Sequence, residues 1–158
     1  MKNKNKLILA SMLLATGLSA SNISVKLGMT SISFDNISET APSISMVSSK
    51  SDKGFAYELG YTKGDELAVT KFAGAYNWEI TNNIYAGANI GIHGVNYTAN
   101  NSFNKTSFTG YTFGIQGKYS LSNSHSFDLS YNTGSATDKA GIEDYDLSLT
   151  SISYSYRF

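Results

Sequence analysis

Apolar and polar residues alternate along most of this chain with a period of two, the spacing at which successive side chains of a β-strand point to opposite faces. The pattern is sharpest at the end, where Ile152, Tyr154, Tyr156 and Phe158 share one parity and Ser153, Ser155 and Arg157 the other. Read back from Phe158, it recurs in eight segments: Asn22–Phe34, Ser43–Ser49, Gly54–Thr62, Glu66–Ile80, Asn83–Tyr97, Phe108–Leu121, Ser124–Asn132 and Asp144–Phe158. The second rests on least, because Ser-rich Pro42–Lys50 offers only Ile44, Met46 and Val47 as apolar residues. After Ala20 no run approaches the roughly 18 apolar residues of a membrane-spanning helix. The chain is predicted to be all-β.

In the sixth segment Thr109, Tyr111, Phe113, Ile115, Gly117, Tyr119 and Leu121 face one way, while Gly110, Thr112, Gly114, Gln116, Lys118 and Ser120 face the other. Lipid outside a polar interior fits this split. A sandwich with its apolar face inward has the same periodicity, and the charges on the polar face favour the barrel. Tight connections at Thr81–Asn83 and Ser122–Ser124 alternate with long ones at Asp35–Pro42, Thr98–Ser107 and Thr133–Glu143, as in barrels with short turns on one side and loops on the other. Lys63-Gly64-Asp65-Glu66 reads as a two-residue hairpin with Gly at the first central position. Aromatics fall at strand ends on two levels, the placement a bilayer interface selects: Trp78, Tyr85, Tyr119, Phe127, Tyr156 and Phe158 at one, and Phe34, Tyr61, Tyr97, Phe108, Tyr131 and Tyr145 at the other.

Met1–Ala20 carries Lys2, Lys4 and Lys6, an apolar run from Leu7 to Leu18 and a small-residue exit at Ser19-Ala20, which is the pattern of a cleaved secretory signal peptide. Residues 21–158 then form a single domain. Without cysteine it has neither a disulfide nor a thiolate metal site. Setting those three lysines aside leaves 9 basic residues of 12 against 12 acidic ones, so no cationic surface is left to hold nucleic acid.

Tyr156-Arg157-Phe158 resembles the closing motif of bacterial outer-membrane β-barrels, and with eight segments the exported chain resembles the small barrels of the OmpX and opacity-protein type. The resemblance implies an eight-stranded antiparallel up-and-down transmembrane β-barrel in the cell outer membrane. It also implies a monomer in contact with membrane lipid and lipopolysaccharide, with Tyr154, Tyr156 and Phe158 read by the barrel-assembly machinery. Barrels of this type contribute to envelope integrity, adhesion or resistance to host defences.

Turn geometry predicts which polar-face residues meet. A Gly64-Asp65 hairpin sets Glu58 opposite Lys71, a turn at Thr81–Asn83 sets Lys71 opposite His93, and one at Ser122–Ser124 sets Lys118 opposite Asp128. Together with Lys26, Glu79, Gln116 and Arg157 these residues form an expected lumenal network, because a charge inside the barrel needs a partner. Eight strands enclose a space just wide enough for side chains to fill it, so no open pore is expected. His93 has no orienting acid of its own, and His125 and Ser126 point to opposite faces. That spacing also departs from outer-membrane lipid A deacylases, whose His and Ser stand one residue apart. Neither a catalytic residue nor a cofactor is expected, and Asp138, Glu143, Asp144 and Asp146 lack a calcium-loop pattern. The leading expectation is a structural or surface-interacting barrel. A narrow pore, favoured by the space at Gly87, Gly91 and Gly114, a His93-dependent lipid hydrolase and a soluble lipocalin-like barrel are the alternatives.

Overall fold

The computed structural model describes residues 22–98, 105–138, 141 and 143–158; the expected signal peptide lies outside them. Eight strands run β1 (Asn22–Phe34), β2 (Ile37–Ser49), β3 (Gly54–Lys63), β4 (Leu67–Thr81), β5 (Ile84–Thr98), β6 (Lys105–Ser120), β7 (His125–Asp138) and β8 (Asp144–Arg157). Each pairs antiparallel with its sequence neighbours, and β8 closes on β1. The end carrying Asn22, Phe158 and the turns after β2, β4 and β6 is the one that barrels of the expected type turn to the periplasm, and it is called periplasmic below; the end with the turns after the odd-numbered strands is called external.

β2 begins at Ile37, six residues earlier than expected, so Asp35–Pro42 is not a long loop. Phe34 pairs with Ile37 across a turn in which Asp35 takes φ 51°, a left-handed conformation that Asp tolerates better than most residues. Ser38, Thr40 and Pro42 hide the alternation here. Pairing with β3 starts only at Ser43, so the missing N–H of Pro42 falls beyond the ladder on that side. β7 likewise continues to Asp138, six residues past its expected end.

Followed once round the barrel, the register passes from Ile23 through Ser48, Tyr57, Gly74, Ile90, Phe113, Thr133 and Ser148 and returns to β1 at Ser33, ten residues on. With strands ~4.8 Å apart and ~3.3 Å per residue, that stagger means a tilt of about 40° and a rise of about 2.5 Å per residue along the axis. On this scale the exposed apolar residues form a level band. It runs from Phe158, Ile80 and Leu121 to Met29, Ile92 and Tyr111 over about 25 Å, the height of the lipid-facing band of such barrels.

Above that band the barrel turns inside out. Ile32, Phe34, Leu67, Val69, Val95, Phe108, Ala136, Leu147 and Leu149 point inward and form a buried apolar core, with Ile37, Tyr97 and Tyr145 against it. The outer wall at the same height carries Ser31, Thr70, Asn96, Thr109, Ser135 and Thr150. The physical cause is the change of solvent: within the bilayer the outside meets hydrocarbon and polar groups go inward, whereas above it the outside meets water and the apolar parity must swap faces. This corrects two expectations. The interior is not polar throughout, and Phe34, Tyr97, Phe108 and Tyr145 are not an external girdle but core, with Phe34, Phe108 and Tyr145 stacked at centroid distances of 4.9 to 5.5 Å. Tyr85 also shares the inward parity of β5, whereas Trp78, Tyr119, Phe127, Tyr156, Tyr61 and Tyr131 are exposed on the lipid face.

Candidate functional site

Below the apolar core the inward positions carry hydroxyls, amides and seven paired charges. Lys26 on β1 is the hub. Its Nζ lies 3.0 Å from Asp128 Oδ1 on β7 and 3.6 Å from Glu58 Oε2 on β3, and Glu58 Oε1 takes Lys71 of β4 at 2.7 Å. The Lys26 bridges skip β8 on one side and β2 on the other, so they staple the seam where the barrel closes.

The expected partners need correction in two places. β3 and β4 pair two residues out from the expected register, placing Glu58 opposite Ala73 and Lys71 opposite Gly60, and the Glu58–Lys71 bridge forms on the diagonal. The cause is a larger turn. Gly64 N–H donates to Leu67 O, and the carboxylate of Glu39, reaching over from the overhanging part of β2, accepts the amides of Asp65 (3.0 Å), Glu66 (3.2 Å) and Leu67 (2.7 Å). Convergent amides of this kind make an anion-binding concavity, here filled by an internal side chain. A Cβ on Gly64 would sit 2.2 Å from Glu39 Oε1, which is why glycine stands there. Glu39 falls within Asp35–Pro42, the stretch expected to be a long loop. At the second place, Lys118 and Asp128 are cross-strand neighbours as expected, yet each bonds elsewhere. Lys118 takes Asp52 of the β2–β3 turn at 2.5 Å, and Asp52 also receives Arg157.

Asp52 is the functional-looking residue the sequence reading missed. It folds into the periplasmic mouth between a residue of β6 and the end of β8. Burial alone would raise its carboxyl, but hydrogen bonds from Arg157 and Lys118, and their charges, hold it below the ordinary 3.8. Glu79, expected in the network, lies on the periplasmic rim and pairs with Lys53 at 3.4 Å. An irregularity between Glu79 and Thr81 shifts the β4–β5 register near the turn, which spans two residues instead of three, while Lys71 still faces His93.

Gln116 donates to Asn77 Oδ1 at 2.6 Å and accepts from Asn89 at 3.5 Å. His93, 2% exposed, shares a 2.6 Å hydrogen bond with Thr112 through Nε2, and its Nδ1 is buried without a hydrogen-bonding partner. Among the described residues no carboxylate hydrogen-bonds that imidazole as a catalytic base would require, and the apolar core lies above it. Ser126 is buried near Asp128, whereas His125 stands on the outer face against Tyr154 and Tyr156. Among the described residues no three His, Asp or Glu converge to hold a metal. Cavities of about 40 and 30 Å³ flank the Lys26–Glu58–Asp128 cluster, room for a few waters. Tyr154, Tyr156 and Phe158 stand in one exposed row on the lipid face, and Phe158 N–H donates to Ile23 O at 3.0 Å.

A closed barrel with a level apolar band and a filled interior defines a small transmembrane β-barrel, and bacterial barrels of this kind reside in the outer membrane. Solved structures agree on the fold. The N-terminal β-barrel domain of Pseudomonas aeruginosa OprF superposes with a TM-score of 0.68 at 12% identity, over 88% of this chain and 98% of that one. The outer membrane protein OprG from Pseudomonas aeruginosa gives 0.57 at 13%, over 88% and 96%. Ail, the attachment invasion locus protein of Yersinia pestis, gives 0.56 at 11%, over 88% and 99%. No family model and no curated protein matches the sequence. The chain thus has the fold of the small eight-stranded outer-membrane barrels, as its closing motif led us to expect.

Proposed function

We propose that this protein is a non-conducting, monomeric outer-membrane barrel with a structural and surface-presenting role, working through its outer wall and external rim. The observation that supports this best is the double closure of its interior. Ion pairs cross the lumen at mid-membrane and at the periplasmic mouth, and an apolar core with Ile32 and Val95 wholly buried lies above them. An eight-stranded wall leaves no width to spare around such a filling. A solute pore would need both barriers opened, and the spaces at Gly87, Gly91 and Gly114 each face a neighbouring strand at close range. Planar-bilayer recording of the refolded chain tests the reading: conductance at background level is expected, and discrete openings would overturn it.

For the surface role, rim charge is the guide. The external turns and strand ends carry Asp35, Asp65, Glu66, Asp138, Glu143, Asp144 and Asp146 against Lys63, Lys105 and Lys139, a net negative charge. Ail of Yersinia pestis has been solved with the heparin analogue sucrose octasulfate. An acidic rim repels polyanions, so this chain is expected to leave heparin unbound and to present neutral or cationic contacts.

A further inference from the structure

The charges of the lumen do not balance. Lys26, Lys71, Lys118 and Arg157 stand against Glu58, Asp128 and Asp52, a surplus of one positive charge. Every Asp and Glu of the chain lies among the described residues, and the others sit at the external end or, like Glu79 against Lys53, on the periplasmic rim. Deeper in the lumen, Lys26 and Lys71 are matched by Glu58 and Asp128. The surplus therefore falls at the periplasmic mouth, where Lys118 and Arg157 share the single carboxylate of Asp52.

Both of those cations keep donors to spare. Lys118 Nζ carries three N–H groups and has, among the described residues, Asp52 as its one acceptor. Arg157 gives Nη1 and Nη2 to Asp52 and Nη1 also to Asn123 O at 3.4 Å, while its Nε is buried without a hydrogen-bonding partner. A cavity of about 10 Å³, room for one water-sized sphere, lies against them and is walled also by Asp52 and the buried Ser24, Ser120 and Ser155. The side chains of Lys118, Arg157 and Asp52 are each 17% exposed, and a charge so far withdrawn from water calls for a counter-charge. Lys50, exposed on the same turn as Asp52, adds to the positive field there.

We propose that the periplasmic mouth is a binding site for one small monovalent anion, of the size of chloride or formate, held between Lys118 and Arg157 with serine hydroxyls completing its shell. The anion supplies the missing charge and ties the β2–β3 turn more firmly to β6 and β8. A larger organic anion does not fit beside Asp52.

For the test, the whole exported chain is refolded in phosphatidylcholine vesicles in sodium gluconate, and chloride or formate replaces gluconate stepwise at constant ionic strength while gel mobility reads the thermal unfolding midpoint. The midpoint is expected to rise by several degrees, and above half-occupancy to keep rising with the logarithm of the small anion's concentration. Lys118→Gln removes the surplus charge and should abolish the rise, whereas Asp52→Asn enlarges the surplus and should enlarge the rise. Lys63→Gln, which removes an exposed cation at the external end, should leave the wild-type rise intact. Equal midpoints in chloride and gluconate would overturn the proposal, and so would an undiminished rise in Lys118→Gln, the mark of a general salt effect. Should Lys118→Gln fail to refold, Asp52→Asn decides: a rise no larger than that of the wild type overturns the proposal as well.

Discussion

Replacing Lys26 by Met keeps the aliphatic stem and removes the charge that joins β1 to β3 and β7. Lys26, Glu58 and Asp128 are each about 11 to 15% exposed, so two carboxylates would be left partly desolvated. Removing one member of a buried pair typically costs about 3–5 kcal/mol. Here the loss is expected near the lower bound, about 3 kcal/mol, since Glu58 keeps Lys71 at 2.7 Å and Asp128 keeps the Ser126 hydroxyl at 3.2 Å. Urea unfolding in lipid vesicles measures the change. Asp128→Asn on the Lys26→Met background removes one orphaned carboxylate, so the double variant should lose less than the sum of the single ones. A Lys26→Met loss below about 1 kcal/mol, or strict additivity, would refute the view that this cluster holds the seam.

Asp52→Asn should destabilise at about pH 7, and the gap to wild type should persist as pH falls to about 4. A folded-state carboxyl lying below its ordinary value contributes stability above that value and loses it only on protonation, so a gap already closed near pH 6 would contradict the Asp52–Lys118–Arg157 latch. Glu39→Gln is expected to cost about 2 kcal/mol, because charge-assisted bonds to three amides are replaced by weaker ones, and to speed hydrogen exchange at Asp65–Leu67. Gly64→Ala should mimic it and add little on top; full additivity would mean that the two residues act separately. Deleting Phe158 removes one lipid-facing ring, about 1.5 to 3 kcal/mol of burial, which a finished barrel survives. If Phe158 serves assembly, its loss should empty the outer membrane of the protein while the purified variant still refolds in detergent. An equal delivery defect for Phe127→Ala would reduce it to a packing residue.

Sequence alone carried the all-β class, the strand number, the bounds of β1 and the start of β8, and two hairpin registers, because alternation and tight turns are local properties of the chain. The inversion of polarity was also written there. In five strands the lipid-facing and core parities meet three residues apart, at Met29/Ile32, Val69/Phe72, Ile92/Val95, Phe108/Tyr111 and Leu149/Ile152, and an odd step between apolar residues means a change of face. Only tertiary structure decided the rest. The β3–β4 register depends on Glu39, a residue some 26 positions away whose carboxylate enlarges the turn. The partners of Lys26, Asp128, Lys118 and Arg157 depend on the ten-residue stagger at closure. A turn fixes which residues are neighbours on adjacent strands, but which charges meet across the lumen is set when β8 joins β1, and no local stretch of sequence contains that geometry.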